Sequence, residues 1–405
     1  MRVALLTAEY PIRGPDQVVY GIGVYVRRMA RALYEAGHHP EVFAPTNEIS
    51  DTVDDNGIKL HRVNWRKNHP RLWFLSAISR RIFRARAWRE PSEWLLQANG
   101  LADALEKRHK AEPFHLVQST DYEATGLWVQ RRSGRVHAVR CSTLADLLNK
   151  VEDRRGLHQS LREVLERWAM RRADVVYAPS QFAANYFQNF HNIKMDVVRP
   201  PAYLEIQPAA EVPFPLPGRF LFHFGWLSNV KGSDLLARAL LIAWEQAPDI
   251  TMLWSGICER PGQIEAWRSL WGSHVDRVHF TGQLAKPQLY AVLVRADAAV
   301  LPSQVDNLPN TVIESLLFGV PVIGSRGASI DELVEEGRTG YLVPLGDAVS
   351  LAETLVRVWQ GLGPVEKGFE WTSAIREQMR PKQAVGRLLE LAEITATNKG
   401  GRSDG

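Results

Sequence analysis

Short apolar runs alternate along the chain with longer stretches in which apolar residues recur every three or four positions. The first run, RVALLTA, precedes the helical pattern VYVRRMARALYEAG and a second run, PEVFAP, and the same order returns after residue 218. Strands that alternate with helices in this way form βαβ units around parallel sheets. Because the order occurs twice in 405 residues, we predict an α/β fold with two doubly wound, Rossmann-like domains.

A proline-rich stretch divides the two halves of this pattern. Residues 199–219 contain six prolines, which favour an extended linker, so we place the domain boundary near residue 200. The N-terminal domain is then predicted over residues 1–200 and the C-terminal domain over residues 201–371. The tail, residues 398–405, is small, polar and rich in glycine, and we predict that it is disordered.

The composition predicts an ordinary globular protein of a reducing compartment. Hydrophobic residues make up 45% of the chain and charged residues 23%. Cys141 and Cys258 are far apart and form no CxxC pair, which argues against a disulfide framework and a thiolate metal site. The N-terminal apolar run is too short for a signal peptide, and no stretch of about 18 apolar residues predicts a membrane-spanning helix. We therefore expect a cytoplasmic protein.

Basic residues are concentrated in the first half of the chain. Residues 1–200 carry 31 Lys and Arg against 22 Asp and Glu, whereas residues 201–405 carry 18 against 23. This asymmetry predicts an anionic partner for the N-terminal half, such as a lipid surface, a nucleic acid or a phosphorylated acceptor.

The excess of basic residues is greatest in residues 61–89, which contain nine Lys and Arg, no acid, and several tryptophans. A basic amphipathic helix rich in Trp can lie on an anionic membrane surface, which would place the protein peripherally at the inner face of the membrane. The alternative is a helix that packs its apolar stripe on the N-terminal domain and leaves its arginines in water. We expect no nucleic acid partner, because no recognised binding module accompanies the basic segment.

The loops that follow strands are the places where parallel sheets bind ligands. After the first strand, Gly21 and Gly23 enter a helix and permit close backbone approach at its N-terminus, which suits a phosphate or a sugar. Val26 stands where a dinucleotide fingerprint needs a third small residue, so the pattern is weak evidence for an NAD site. The alternative is a tight turn without a ligand.

Two further loops, in the C-terminal half, carry groups suited to an anionic or nucleotide ligand. Gly225 follows a strand, and Lys231 with Gly232 precedes a helix for which Ser233 is the predicted N-cap. A lysine there would reach an anion held at the loop, although a solvated surface lysine fits the same pattern. The backbone amides of residues 282–284 could contact the edge of a base.

The segment DNLPNTVIE sets Asp306 and Glu314 with seven residues between them, just ahead of the apolar run of a helix. The unpaired N–H groups and the dipole of this helix N-terminus favour a diphosphate, with Asn310 and Thr311 in the first turn. The two acids would then contact opposite ends of one ligand. A glycosidase acid pair and a pair without a ligand are the alternatives, but a hydrolase needs no phosphate-binding helix end.

No motif in the chain predicts a catalytic metal. The twelve histidines form no HExxH or similar spacing. Asp55-Asn56-Gly57 precedes an alternating strand, and this arrangement predicts a hairpin turn rather than an acidic metal-binding loop.

In their order along the chain, these motifs resemble those of the retaining glycosyltransferases of the GT-B fold, family four, also called glycosyl transferases group 1. The resemblance covers nearly the whole chain and includes the longer stretches RWAMRRADVVYAPSQFAANYF and GRTGYLVPLGD, at residues 167–187 and 337–347. It implies two Rossmann-like domains that face each other across a cleft. It also implies a last helix, residues 372–397, that crosses back to the N-terminal domain.

The resemblance further implies a donor site and an acceptor site. The C-terminal domain would bind a UDP- or GDP-sugar, with Glu314 on the ribose and Asn310 and Thr311 on the diphosphate. Asp306 and Lys231 are implied as the catalytic residues, Asp306 near the reacting carbon and Lys231 on the leaving group. The implied donor-binding residues are Gly21, Gly23, Gly225, Trp226, Gly282, Gln283, Leu308, Asn310, Thr311 and Glu314. The implied acceptor-side residues are Asp121, Arg140 and Ser142.

The reaction that the resemblance implies is retaining and proceeds on one face of the sugar, so that the departing phosphate takes the proton of the acceptor. It needs no protein nucleophile, no cofactor and no metal, and it depends on charge stabilisation and positioning. The acceptor would be a glycan, a lipid-linked sugar or a small molecule.

Three residues depart from the family pattern. Asp306 stands where the family usually has Glu, Trp226 where it usually has Arg, and Ser142 where many relatives have His. These differences keep a second hypothesis open, namely a catalytically silent protein that binds a nucleotide sugar or a glycan.

Overall fold

The computed structural model describes residues 1–11, 21–68, 89–154, 156–203, 211–258, 260–362, 367–368 and 372–400. The chain forms two compact units, Met1–Tyr203 together with Met379–Gly405, and Leu204–Gln378. Each unit contains one sheet, and neighbouring strands in the two sheets are parallel except in one hairpin. The prediction of two doubly wound α/β domains is therefore confirmed.

Three segments singled out from the sequence fall partly outside the described residues. These are residues 69–88 of the basic segment, residues 204–210 of the proline-rich stretch and residues 401–405 of the tail. The predicted membrane-surface helix thus stays a prediction. Among the helices that are described, none combines the length and the apolar sequence that crossing a membrane requires.

Strands and helices alternate in the order that the apolar pattern predicts. The strands are β1 Arg2–Leu6, β2 His39–Pro45, β3 Asp51–Asp55, β4 Ile58–Val63, β5 Leu116–Thr120, β6 Val136–Arg140, β7 Val175–Ala178, β8 Asp196–Val197, β9 Leu221–Leu227, β10 Met252–Cys258, β11 Val278–Gly282, β12 Ala299–Leu301, β13 Val322–Ser325 and β14 Gly340–Val343. The α-helices are α1 Gly21–Glu35, α2 Trp65–Asn68, α3 Arg89–Ala111, α4 Ala145–Val151, α5 Leu157–Arg172, α6 Gln181–His191, α7 Ser233–Gln246, α8 Gln263–Trp271, α9 Lys286–Leu293, α10 Asn310–Leu317, α11 Ala348–Trp359, α12 Thr372–Gln378 and α13 Pro381–Gly400.

The first sheet has the strand order β3-β4-β2-β1-β5-β6-β7-β8. Its antiparallel pair, β3 and β4, is the hairpin predicted around Asp55-Asn56-Gly57. Asn56 and Gly57 both have positive φ, at 56° and 86°, which is the backbone of a tight turn with the twist of the flanking strands. This acidic segment therefore forms a hairpin turn.

Helices cover both faces of the first sheet, so its central strands are buried on two sides. α1 and α13 pack on one face, where Leu5, Met29 and Leu388 share a core. α3 packs on the other face, where Leu6 and Leu105 belong to a second core. This double burial explains why the sequence of β1 is apolar at consecutive positions rather than at alternate ones.

The second sheet has the strand order β11-β10-β9-β12-β13-β14, and all its neighbouring strands are parallel. The order grows outward in one direction from β9 to β11 and in the other from β12 to β14. The point between β9 and β12 is the topological switch point, where doubly wound sheets bind ligands beyond the carboxyl ends of the strands.

Tryptophan side chains form much of the core of the second unit. The ring of Trp254 on β10 lies 5.1 Å from that of Trp267 and 5.5 Å from that of Trp271, both on α8. Trp244 on α7 packs edge-on against Trp271 at 6.2 Å. Such edge-to-face pairs contribute about 0.5–1.5 kcal/mol each beyond the burial of their area.

The prediction of one last helix over residues 372–397 is wrong in its bounds. The structure has two helices there, α12 and α13, and the break falls just before Pro381, which has no amide hydrogen and disfavours a helical conformation at the preceding residue. α13 continues through Gly400, so residues 398–400, which were predicted to be disordered, are helical. The helix is held by buried Leu388 and Leu391, which pack into the core beneath α1.

Replacement of Gly256 by Ala should destabilise the second unit strongly. Gly256 has φ of 146°, and a Cβ at this position would lie 1.7 Å from the carbonyl oxygen of Gly225 on the neighbouring strand. We expect Gly256→Ala to lower the free energy of unfolding by about 2–3 kcal/mol in urea titrations. Gly386→Ala, at an exposed position of α13 where nothing lies within 4 Å, is the control and should be neutral or stabilising by up to about 1 kcal/mol. Equal effects of the two substitutions would contradict this account.

Candidate functional site

The candidate site of the second unit lies at the switch point, where the loops after β9 and β12 carry Lys231 and Asp306. A Cβ added to Gly225 would lie 3.3 Å from Cγ2 of Thr311, so the first turn of α10 packs directly on the backbone of β9. The structure thus brings together Gly225, Lys231, Asp306 and Thr311, although Lys231 and Asp306 are 75 residues apart in sequence. These are residues that the sequence analysis assigned to one site.

The closest contact at this site is the ion pair between Lys231 and Asp306. The Lys231 Nζ and the Asp306 Oδ2 are 2.5 Å apart. The lysine side chain is about one-third exposed, whereas the aspartate side chain is largely buried. The other carboxylate oxygen of Asp306 accepts a hydrogen bond of 3.0 Å from the backbone amide of Asn307. Both oxygens of the aspartate are therefore engaged before any ligand is present.

The loop that carries Lys231 is held against the loop after β12 by backbone contacts. The amide of Gln304 donates to the carbonyl of Val230 at 2.8 Å. A Cβ at Gly232, which has φ of 78°, would lie 1.9 Å from the carbonyl oxygen of Pro302. A glycine is therefore required beside Lys231 for the two loops to meet.

The prediction that Ser233 is an N-cap is wrong. Gly232 occupies the cap position, and Ser233 is the first helical residue of α7. Its hydroxyl lies 2.8 Å from Nε2 of His223, whose Nδ1 lies 2.7 Å from the carbonyl oxygen of Val300. Burial lowers the pKa of His223 to about 4, so the imidazole is neutral and links α7, β9 and β12 through hydrogen bonds. The sequence analysis missed His223, although its position within an apolar strand was a signal.

α10 begins at Asn310 and directs its N-terminus toward the loop of Asp306. Pro309 occupies the cap position in an extended conformation, and no side chain caps the helix within the described residues. The first amides of a helix have no intrahelical acceptor, so they remain available to an anion. Asn310 and Thr311, in this first turn, are half-exposed, whereas Leu308 is buried just before it.

One turn deeper in α10, Glu314 is held by a lysine that the sequence analysis did not single out. The Nζ of Lys286 lies 2.7 Å from one carboxylate oxygen of Glu314 and 2.8 Å from the other. Glu314 is only 5% exposed, whereas the Lys286 side chain is 57% exposed. A lysine at the start of a predicted helix carries no local signal of this partner, because the contact joins α9 to α10.

The loop between β11 and α9 is open to solvent. Gly282 and Gln283 are exposed, and the carbonyl of Gly282 accepts hydrogen bonds from Ser255 at 3.0 Å and from Thr281 at 3.1 Å. Two side chains therefore hold the backbone of this loop in place just before Lys286. Trp226, near the end of β9, is half-buried.

In the first unit, Gly21 and Gly23 form the start of α1. A Cβ at Gly23 would lie 3.2 Å from Pro11 and 3.3 Å from the carbonyl oxygen of Glu9. The sequence predicted that another group would closely approach the backbone of these glycines. At Gly23, the segment that follows β1 makes this approach. Gly21 itself is exposed at the helix N-terminus.

The three residues expected on the acceptor side form one hydrogen-bond network at the ends of β5 and β6. Asp121 accepts a hydrogen bond from the amide of Ser142 at 2.6 Å, and Arg140 donates to the hydroxyl of Ser142 at 2.8 Å. The guanidinium of Arg140 also stands 3.8 Å above the ring of Tyr25 on α1. Burial, together with the carboxylate of Glu166, raises the pKa of Asp121.

Two further carboxyl groups near this network were missed by the sequence analysis. Burial raises the pKa of Glu9, which follows β1, and of Glu123, which follows β5, to about 7 in each case. Glu123 accepts a hydrogen bond of 2.8 Å from Gln97 on α3. Neither acid stands in a motif, so no sequence signal marked them.

Within the described ranges of the chain, no group of three or more His, Cys, Asp or Glu side chains is arranged to hold a metal ion. Asp306 and Glu314, the acids of the switch-point site, are each engaged by a lysine instead.

Two family models match the chain and together cover most of it. The model described as "Glycosyl transferases group 1" matches residues 218–361, and the model described as "Glycosyl transferase 4-like domain" matches residues 20–201. The first match contains the whole switch-point site, and the second contains the network around Asp121.

Curated relatives agree with these models, and a solved structure shares the fold. D-inositol 3-phosphate glycosyltransferase of Corynebacterium diphtheriae is 27% identical over 44% of this chain, which spans about half of that relative (45%). The enzyme of the same description from an Arthrobacter strain is 24% identical over 83% of this chain and 80% of its own length. HepE of Anabaena, solved in complex with UDP, superposes with a TM-score of 0.65 at 17% identity over 97% of this chain and 100% of its own.

A double-mutant cycle on Glu314 and Lys286 should reveal a coupled pair. Lys286→Met leaves a buried carboxylate without its cation, so we expect it to lower the free energy of unfolding by about 1–2 kcal/mol. In the Glu314→Gln background, the same substitution should cost little, which gives a coupling energy of about 1 kcal/mol in urea titrations. Additive effects of the two substitutions would show that the ion pair contributes nothing to stability.

Glu123→Gln should change the dependence of stability on pH. The folded-state pKa of Glu123, about 7, lies above its ordinary value of 4.5, so wild-type stability falls as pH rises through this interval. The glutamine keeps an acceptor for Gln97 and never ionises. The melting temperature of Glu123→Gln should therefore match wild type near about pH 5 and exceed it near about pH 8. Glu393→Gln, an exposed acid on α13, is the control, and parallel curves for Glu123→Gln and wild type would contradict the prediction.

Proposed function

Because the chain belongs to the group 1 glycosyltransferases, we propose that it moves a sugar from a nucleotide diphosphate sugar to an acceptor with retention of anomeric configuration. The observation that carries this proposal is the arrangement at the switch point of the second unit. There a helix N-terminus without a side-chain cap stands beside Lys231 and Asp306. A helix end and a lysine together suit the diphosphate of such a donor.

The donor would lie along α10, from its N-terminus to Glu314. The diphosphate would accept hydrogen bonds from the first amides of the helix and from Asn310 and Thr311. Glu314, one turn deeper, would accept hydrogen bonds from the ribose hydroxyls, in competition with Lys286. The base would meet the open loop of Gly282 and Gln283. The UDP held by HepE supports a UDP-sugar as the donor.

Lys231 and Asp306 would act on the two ends of the bond that breaks. The bond between the sugar carbon and the phosphate oxygen breaks, and Lys231 stabilises the negative charge that develops on that oxygen. The acceptor oxygen forms its bond on the same face of the sugar, and its proton passes to the departing phosphate. Asp306 would contact the sugar near the reacting carbon, and no protein nucleophile or metal takes part.

The ion pair between Lys231 and Asp306 prepares the site for this role. It holds the ammonium group at one place before the donor arrives, so little reorganisation is needed when the diphosphate charge appears. Asp306 is one methylene shorter than the glutamate usual in the family, and the close contact to Lys231 gives the shorter side chain a defined position.

The acceptor would bind to the first unit, near the network of Asp121, Arg140 and Ser142. The relatives described as D-inositol 3-phosphate glycosyltransferases support a hydroxylated small molecule among the acceptor classes. A glycan or a lipid-linked sugar remains within the proposal.

Ligand-dependent thermal unfolding tests the donor site. A ligand that binds the folded state raises the melting temperature, so UDP or a UDP-sugar should stabilise the wild type by several degrees at saturating concentration. Glu314→Gln should lose most of this shift. Glu335→Gln, an exposed acid of the same unit that pairs with Arg338, is the matched control and should keep it.

Product analysis tests the chemistry. Lys231→Met should lower kcat by about 10²-fold while the nucleotide still binds, because the lysine acts mainly on charge that develops in the transition state. NMR of the product should show the anomeric configuration of the donor, and EDTA should leave the rate unchanged. Nucleotide binding without donor consumption for any acceptor would favour a silent binding protein, and no response to any nucleotide would overturn the donor site.

A further inference from the structure

An apolar stripe runs along the outer face of α5. Its exposed members are separated by seven and four positions, which places them on one side of the helix. They are Leu157 (55% exposed), Val164 (53%) and Trp168 (43%). The inner face of the same helix is already occupied, because Leu165 and Ala169 pack with Leu127. The outer stripe is therefore additional to the face that the fold buries.

At its C-terminal end, the stripe is widened by a second tryptophan. The rings of Trp168 and Trp128 are 6.1 Å apart and nearly perpendicular, and Trp128 is 38% exposed. The indole N–H of Trp128 donates to the carbonyl of Leu95 on α3 at 3.1 Å. The indole nitrogen of Trp128 thus has a hydrogen-bond acceptor within the protein, and both rings remain partly exposed.

Three exposed arginines adjoin the tryptophans. Arg131 donates to the carbonyl of Arg172, Arg172 to the carbonyl of Leu127, and Arg171 to the carbonyl of His191. Each bond is to a backbone oxygen, and among the described residues none of the three arginines forms an ion pair with a carboxylate. Within the part of the chain that the structure describes, their charges are therefore not neutralised.

The acids on α5 are neutralised by other arginines. Glu163 pairs with Arg167, and Glu166 pairs with Arg162, each one helical turn away. The C-terminal end of α5, where Trp168 contacts Trp128, is consequently basic. We call Trp128, Val164, Trp168, Arg131, Arg171 and Arg172 the tryptophan patch.

We propose that the tryptophan patch binds an anionic lipid surface. Indole rings prefer the boundary between acyl chains and headgroups, and arginines beside them can reach lipid phosphates. The charge on the patch is complementary to such a surface. A second copy of this chain fits less well, because a two-fold contact through the same patch would place the arginines of one copy against those of the other.

The position of α3 gives a second reason to assign a lipid surface to the tryptophan patch. α3 begins where the basic segment of residues 61–89 ends, and its Leu95 accepts the hydrogen bond from Trp128. Its Trp94 lies 5.5 Å from the ring of His158 on α5. The segment whose sequence suits an anionic surface is therefore joined to a helix that contacts the patch.

Co-sedimentation with vesicles tests the proposal on the full chain. The wild type should bind vesicles of phosphatidylcholine and phosphatidylglycerol, bind phosphatidylcholine alone weakly, and lose affinity as salt is raised. Arg171→Gln with Arg172→Gln should weaken binding to the anionic vesicles about tenfold. Val164→Ser with Trp168→Ser should also weaken it, because less apolar surface enters the boundary.

Matched substitutions on the other unit serve as controls. Arg238→Gln with Arg277→Gln removes two exposed arginines, and Val349→Ser with Leu362→Ser removes two exposed apolar side chains. Both pairs should bind like wild type. Circular dichroism and the melting temperature check that each variant is folded, and Trp128→Phe with Trp168→Phe offers a milder change that should keep binding but reduce fluorescence quenching by brominated acyl chains.

Three results would overturn the proposal. The first is a wild type that does not bind anionic vesicles. The second is wild-type binding by both folded patch variants, which would assign the lipid contact to other residues. The third is a patch variant that changes the association state in light scattering but not vesicle binding, which would assign the patch to a second copy of the chain. None of these measurements needs turnover, so they are independent of the proposed reaction.

Discussion

The close approach of backbone segments at the switch point of the second sheet is the constraint on which the candidate donor site depends. Gly256 lies so near the carbonyl of Gly225, and Gly232 so near that of Pro302, that a Cβ at either glycine would overlap the opposing chain. Because the loops after β9 and β12 meet in this way, Lys231 reaches Asp306. The first turn of α10 then packs on Gly225, which places the helix N-terminus beside that ion pair.

The charges of this site are balanced before a ligand arrives. Each acid of the pair has a lysine from another element, Lys231 for Asp306 and Lys286 for Glu314. A buried carboxylate without a partner is costly, so each lysine offsets part of the cost of burying its acid. They also mean that a ligand of this site would meet a fixed pattern of charge and would join or replace existing contacts.

In the described part of the first unit, the buried acids named above are not held by a lysine. Asp121 is held mainly by backbone amides and hydroxyls, and Glu9 and Glu123 have raised pKa values because burial penalises their charge. Carboxyl groups in this state can change protonation near neutral pH. On the outside of the same unit, the tryptophan patch carries exposed arginines that form no ion pair with a carboxylate among the described residues. The polar network is therefore largely buried, whereas this outer surface is exposed and basic.

The apolar pattern by itself determined the α/β class, because a short continuous apolar run suits a strand buried on both faces, whereas a period of three to four residues suits a helix that buries one face. The segment from Asp306 to Glu314 likewise located the start of α10, since its proline and the apolar run that follows are local signals. The partners of these acids were decided only by the tertiary structure. Strand order and helix packing bring together residues that no local pattern connects. These include Lys286, His223 and the network of Asp121.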